Sequence, residues 1–110
     1  MIVVNKNEGE KIPYEQTGKK VCFDDDLTIN LAKREEDEAV HIDICYDSDG
    51  ALVVGAAAGR RYVAEIDIPA RCYTETEIED TDSTEGTKTK MQREPLPLDM
   101  DKVTLTLWAV

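Results

Sequence analysis

The sequence predicts an all-β fold: a small antiparallel β-sandwich or barrel, jelly-roll-like, with a protruding charged β-hairpin arm. Three observations predict it. Apolar and polar residues alternate with a period of two in several short runs, as strands buried on one face require. Turn residues separate these runs about every 8–12 positions, which gives about seven to nine short strands. No stretch combines helical spacing with the caps of a strong helix.

The elements follow in order. Ile2–Val4 and Lys20–Phe23 are short strand candidates. Leu27, Ile29 and Leu31 alternate with Thr28, Asn30 and Ala32. The Leu27/Leu31 spacing also fits a helix capped by Asp26, but a Thr-Ile-Asn centre is poor helix material and favours a strand over 27–33. Lys33–Glu38 then becomes a hairpin loop leading into a strand over 39–46, where Val40, Ile42, Ile44 and Tyr46 alternate with His41, Asp43 and Cys45. Asp47-Ser48-Asp49-Gly50 is a tight turn with Gly at the position that needs positive φ, and Ala51–Val54 is a short strand after it. Gly55-Ala56-Ala57-Ala58-Gly59 reads as a bend or bulge where backbones approach closely. Tyr62, Ala64, Ile66 and Ile68 alternate with Val63, Glu65 and Asp67, and Pro69 ends that ladder. Val103, Leu105 and Leu107 alternate with Thr104, Thr106 and Trp108. So apolar a strand must be paired inside the sheet or with another subunit.

Residues 71–94 form the arm, or else a long mobile loop, within a single domain over 1–110. Thr or Ile alternates with Glu through Thr74-Glu75-Thr76-Glu77-Ile78-Glu79, and Thr with Lys through Thr87-Lys88-Thr89-Lys90. Folding the runs about Ser83 and Thr84 sets Glu79 opposite Lys88 and Glu77 opposite Lys90, or, two residues away, Glu77 opposite Lys88 and Glu75 opposite Lys90. Each cross-strand charge pair contributes about 0.2–1 kcal/mol, the exposed ones least. The tip, 80–86, is acidic. An isolated hairpin is marginal in water, so the arm is expected to be firm only against a neighbour.

The chain has 110 residues, 24 acidic and 13 basic, for a net charge of −11. Leu, Ile, Val and Phe total 25 of the 110, just above the roughly 20% below which charged chains stay disordered. The core is therefore thin. Residues 24–49 hold ten acids against two bases, mostly in two blocks, Asp24-Asp25-Asp26 and Glu35-Glu36-Asp37-Glu38. These are solvated turns, or an acidic surface that copies nucleic-acid phosphates. Acidity this strong disfavours direct contact with nucleic acid or an anionic membrane. There is no run of about 18 apolar residues for a membrane-spanning helix and no export signal. The expected location is a bacterial cytoplasm or a virion, with Cys22, Cys45 and Cys72 as reduced thiols.

The chemistry-bearing residues form no catalytic motif. His41 is the one histidine, and neither Ser48 nor Ser83 sits in a nucleophile elbow. Cys45 shares a strand face with His41 but lies about 13 Å along it, beyond hydrogen-bond reach. His41 reads as an exposed strand residue, without the further close ligand that a zinc site needs. Asp47-x-Asp49-Gly50 resembles a calcium loop, but its Gly is fourth rather than sixth and Ala58 stands where a bidentate Glu belongs. No phosphate-cradling loop occurs. The reading is thus no enzyme, no metal and no cofactor. Trp108 lies on the Thr104/Thr106 face, either marking a subunit contact or sitting in a strand buried on both faces.

Tyr62-Val63-Ala64-Glu65-Ile66-Asp67-Ile68-Pro69-Ala70-Arg71 and Pro95-Leu96-Pro97-Leu98-Asp99-Met100-Asp101 resemble stretches of short uncharacterised proteins of bacterial phages and prophages. The resemblance implies a mobile-element origin and carries no functional residues. The expectation is a non-enzymatic structural or accessory protein, acting by self-association or with other particle proteins. Its contacts would run through Glu75, Glu77, Glu79, Lys88, Lys90 and Trp108. The alternative is an acidic module that inhibits a nucleic-acid-binding enzyme through Asp24, Asp25, Asp26, Glu35, Glu36, Asp37 and Glu38.

Overall fold

The computed structural model describes residues 1–56, 59, 61–80 and 88–110, the side chains of 77–80 and 88–91 excepted. The elements are β1 (Ile2–Asn5), β2 (Tyr14–Thr17), β3 (Lys20–Phe23), β4 (Leu27–Asn30), α1 (Leu31–Arg34), β5 (Val40–Tyr46), β6 (Leu52–Val54), β7 (Arg61–Ile68), β8 (Tyr73–Asp80), β9 (Lys88–Pro95) and β10 (Thr104–Leu107), with a 3₁₀ turn at Met100–Lys102. The fold is all-β, as the alternation predicts.

A five-stranded sheet runs β1-β10-β7-β5-β6 and a three-stranded sheet runs β2-β3-β4. Their facing sides share one core. Val21, Phe23 and Ile29 of the small sheet pack with Ile42, Ile44, Val63, Ala64, Ile66, Ile68, Leu105 and Leu107 of the large one, and Leu31 and Leu98 close the gaps. The large sheet is open, since β1 and β6 are its edges, so no barrel forms. Its neighbours are antiparallel except β1 and β10, which run parallel. The C-terminal strand β10 is paired on both sides, which satisfies its backbone groups and shelters its apolar residues.

Two sequence expectations change here. The strand expected over 27–33 ends at Asn30, whose side chain accepts from the Lys33 amide at 3.3 Å and starts the short helix α1. Leu31 turns into the core in place of continuing the alternation. The loop after it is not a hairpin, because β4 and β5 belong to different sheets. The second change concerns Tyr62. A register shift between Ile44 and Cys45 pairs Cys45 with Tyr62 and leaves Val63 as the extra residue. The bulge inverts the alternation of β7 before Ala64: Val63 and Ala64 are both fully buried, and Tyr62 goes to the outer face.

The turn at 47–50 forms as expected. Gly50 has φ 79°, and Asp47 Oδ1 accepts from the Asp49 and Ala51 amides at 2.9 Å each. Asp24 and Asp25 make the β3–β4 turn in left-handed conformation, which a short polar side chain tolerates.

β8 and β9 form a separate two-stranded sheet that pairs with no other described strand. The chain measures 67 × 24 × 21 Å, far from spherical for its length. The register sets Glu75 opposite Arg93, Glu77 opposite Met91, Ile78 opposite Lys90 and Asp80 opposite Lys88. Glu79 therefore faces Thr89 and not Lys88, and the expected Glu77–Lys90 and Glu75–Lys90 partners are likewise displaced. A one-residue slip exchanges faces along a whole strand. The tip lies outside the described residues apart from the backbone of Asp80.

Gly59 lies against the bulge, where a Cβ would come 2.6 Å from Cys45 Cβ and 2.8 Å from its Sγ. Cys45 is itself 1% exposed and has no room to retreat. Gly59→Ala is expected to destabilise the fold by about 1–3 kcal/mol, as overpacking does, measured by urea denaturation. A change below about 0.5 kcal/mol, the range of neutral surface substitutions, would contradict this close approach.

Candidate functional site

The outer face of the large sheet collects the chemistry. Register places His41 opposite Asp67, Asp43 opposite Glu65, and Thr104 and Thr106 across from Asp67 and Glu65. Period-two alternation then puts His41, Asp43, Glu65 and Asp67 together on the side away from the core.

The imidazole is the hub. His41 Nδ1 donates to Asp67 Oδ1 at 2.6 Å, and Nε2 donates to Asp43 Oδ1 at 2.8 Å. Glu65 Oε1 stands 3.4 Å from Nε2. Carboxylate oxygens on both nitrogens require both N–H groups, so this geometry is that of the imidazolium. The His41 pKa is accordingly raised, first by the Asp67 hydrogen bond, against some desolvation, and further by Asp43. The His41 side chain is 47% exposed, while those of Asp43 and Glu65 are 23% and 22% exposed.

Glu65 is held from its other side. Trp108 Nε1 donates to Glu65 Oε2 at 2.8 Å. The Trp108 ring stacks on Tyr62 with centroids 5.3 Å apart, and Lys6 Nζ lies 5.5 Å from the indole. Trp108 is thus on the Thr104/Thr106 face, and that face is half-buried surface rather than a second core. Asp43 and Glu65 also act on their neighbours: burial first, then these two carboxylates, raise the Cys45 thiol pKa, and Asp43 leads the rise at Tyr62. Cys45 is buried beneath Gly59, outside the core shared by the two sheets. Beside the cluster a shallow depression of about 240 Å³ is bordered by Val40, His41, Asp67, Thr104 and Lys102.

Sequence reasoning placed His41 correctly as an exposed strand residue and missed its partners. Asp43 is two residues along the same strand, and Glu65 and Asp67 repeat that spacing on β7. The signal was His-x-Asp and Glu-x-Asp, each on an outward-facing alternation, and only the pairing of β5 with β7 merges them.

The acidic blocks serve different places. Asp24–Asp26 close one end of the three-stranded sheet. Glu35–Glu38 follow α1 at the other end, where the Leu31 amide donates to Lys19 O in the β2–β3 turn at 2.9 Å. The second block ties down the base of the β8–β9 hairpin. Arg71 Nη2 donates to Glu35 O at 2.8 Å, its Nε reaches Glu35 Oε1 at 3.4 Å, and the Arg71 amide donates to Glu36 O at 2.8 Å. The Tyr73 hydroxyl donates to Asp37, and the Arg93 guanidinium lies 4.2 Å from the Tyr73 ring centroid. Arg93 is also 3.9 Å from Glu75. Of the arm residues expected to make contacts, Glu75 has this partner; the side chains of Glu77, Glu79, Lys88 and Lys90 lie outside the described residues.

The chain matches no protein-family model, and no curated protein or solved structure is significantly similar to it.

The His41 network has a pH signature. A raised folded-state pKa stabilises the fold where His41 is protonated; the gain is full below the unfolded value of about 6.5 and is lost as pH rises through the folded pKa. His41→Ala is expected to be less stable than the parent near pH 6, with the gap closing near pH 9. Thermal unfolding in EDTA-containing buffers would check it. A gap that widens with pH would contradict the imidazolium assignment.

Proposed function

We propose that the protein is a non-enzymatic structural or accessory protein that works by self-association through its β8–β9 arm, in keeping with the phage-like stretches of its sequence. The observation that carries this reading is a two-stranded ribbon of eight-residue strands that pairs with no third strand among the described residues. A two-stranded sheet is marginal in water and gains stability from a further strand or surface. Its edges offer unpaired N–H and C=O groups, the usual template for adding a strand from another chain.

Charge selects a second copy as the partner. β8 is the acidic strand, with Glu75, Glu77, Glu79 and Asp80, and β9 the mainly basic one, with Lys88, Lys90 and Arg93 against Glu94. Edge pairing of β8 from one copy with β9 from another sets opposite charges side by side, whereas like-on-like pairing is repelled. The anchoring of the arm by Arg71 and Tyr73 at Glu35–Asp37 fixes its exit from the body. Charge mimicry by the acidic blocks has less support: they stand at opposite ends of the small sheet, and Glu35 and Asp37 are engaged at the arm base.

Size exclusion with light scattering at rising concentration tests the reading. The full chain is expected to form a defined oligomer. Deletion of 74–93 is expected to leave a folded monomer, and Lys88→Glu with Lys90→Glu to weaken association at least tenfold. A full-length monomer at about 100 μM, or an oligomer indifferent to the deletion, would defeat it.

A further inference from the structure

We propose that His41, Asp43 and Glu65 form a binding site for a divalent transition-metal ion with mixed nitrogen and oxygen preference, of the zinc or manganese type, on the outer face of the large sheet. The inference is independent of self-association. It starts from placement: His41 Nε2 and one carboxylate oxygen from each of Asp43 and Glu65 all lie within 4.8 Å of one another. Ligands about 2.0–2.1 Å from a tetrahedral zinc ion are separated by about 3.4 Å. The Nε2 separation of 3.4 Å from Glu65 matches that value, and the 2.8 Å from Asp43 falls short of it. Only a small spreading of side chains admits the ion.

The surroundings supply a second, separate argument. Metal-ligating imidazoles characteristically donate their other ring N–H to a carboxylate, which orients the ring and raises its basicity. Asp67 does this to His41 Nδ1 at 2.6 Å, leaving Nε2 turned toward Asp43 and Glu65. The carboxylate of Glu65 is oriented as well, through the Trp108 Nε1 bond to Oε2 at 2.8 Å, so that Oε1 is the atom left for the ion. All four groups stand on paired strands and not on loops, which is how precise sites are held.

Charge balance points the same way. Asp43, Glu65 and Asp67 bring three negative charges around one imidazole, and like charges on neighbouring strands repel. A protonated His41 offsets one of the three; a divalent ion offsets two while using the imidazole lone pair. The donor set fixes the class of ion. One imidazole among carboxylates suits zinc or manganese, whereas calcium takes six to eight oxygen ligands. With three protein ligands and 47% of the His41 side chain exposed, the ion keeps an open position for water or for a donor from outside.

The test is titration of the metal-free full chain with ZnCl₂ and, separately, MnCl₂ in a non-chelating buffer, followed by calorimetry and tryptophan fluorescence. Trp108 is the single Trp and is bonded to a ligand, so it reports directly. One ion per chain is expected, with a fluorescence change that saturates with it. His41→Ala and Glu65→Gln should each weaken binding at least tenfold, while Asp25→Asn in the distant acidic turn leaves it unchanged. His41→Ala changes an exposed side chain, and circular dichroism verifies that both variants fold. Three results would overturn the proposal: no saturable binding below millimolar metal, equal binding by His41→Ala, or calcium binding as tightly as either ion. The last two would mean that a diffuse acidic surface and not this site holds the cation.

Discussion

The structure depends on β7 being a strand with two different faces. It pairs with β10 on one side and β5 on the other, so every outward and inward position on it is propagated across three strands. Inward, Ala64, Ile66 and Ile68 are essentially without solvent contact and meet Phe23, Val21 and Ile29 of the small sheet. Outward, Glu65 and Asp67 are locked to the row of His41 and Asp43 by the same hydrogen-bond ladder. A slip of one residue would bury two carboxylates and expose the isoleucines. The apolar face thus holds the register, and the register assembles the cluster on the other side. The bulge at Ile44/Cys45 is the one interruption. It lets Val63 join the core and sends Tyr62 outward to stack on Trp108, and it is tight enough that only glycine fits at residue 59.

Concentrating three carboxylates on neighbouring outward positions opposes folding, because partly buried like charges repel and lose hydration together. The fold carries three features that lessen the cost. His41 places a proton on each ring nitrogen between them, Trp108 gives Glu65 an N–H donor, and much of the cluster remains wet. The same arrangement leaves the site short of positive charge.

Much of this was legible in the sequence where a local rule is enough. The alternation in Val40–Tyr46 and in residues 62–68 and 103–108 gave three of the five strands of the large sheet and the faces of most of their residues, Trp108 included. Gly50 and its Asp-rich turn followed from backbone preference alone. What failed needed information from elsewhere in the chain. Leu27-Thr28-Ile29-Asn30 alternates as a strand should, but Leu31 reaches the core from within a helix, because Asn30 caps it. Tyr62 was assigned inward since a bulge is invisible to a strict period of two. The arm was legible as a charge-patterned pair of runs, while its register depended on a turn outside that pattern. The cluster was the least legible: His41-x-Asp43 and Glu65-x-Asp67 are unremarkable surface alternations until β5 lies beside β7.

Free sheet edges are the ground for proposing that the arm, and not the body, recruits a partner. The body ends in β1 and β6 on the large sheet and in β2 and β4 on the small one, of four, three, four and four residues. Short edges of this kind are a common protection against unwanted strand pairing, since each offers too few hydrogen bonds to hold another chain. β1 does expose Ile2, Val3 and Val4, yet its brevity limits what those side chains can recruit through the backbone. β8 and β9 are eight residues each and pair with no other described strand along their outer sides, at least twice the length of any edge on the body. They are also the strands whose charges are sorted by sign, which permits pairing in one sense and opposes the other. An edge that is long, open and self-complementary is at odds with the protection given to the other edges among the described residues, and that contrast is the physical basis for proposing association through the arm.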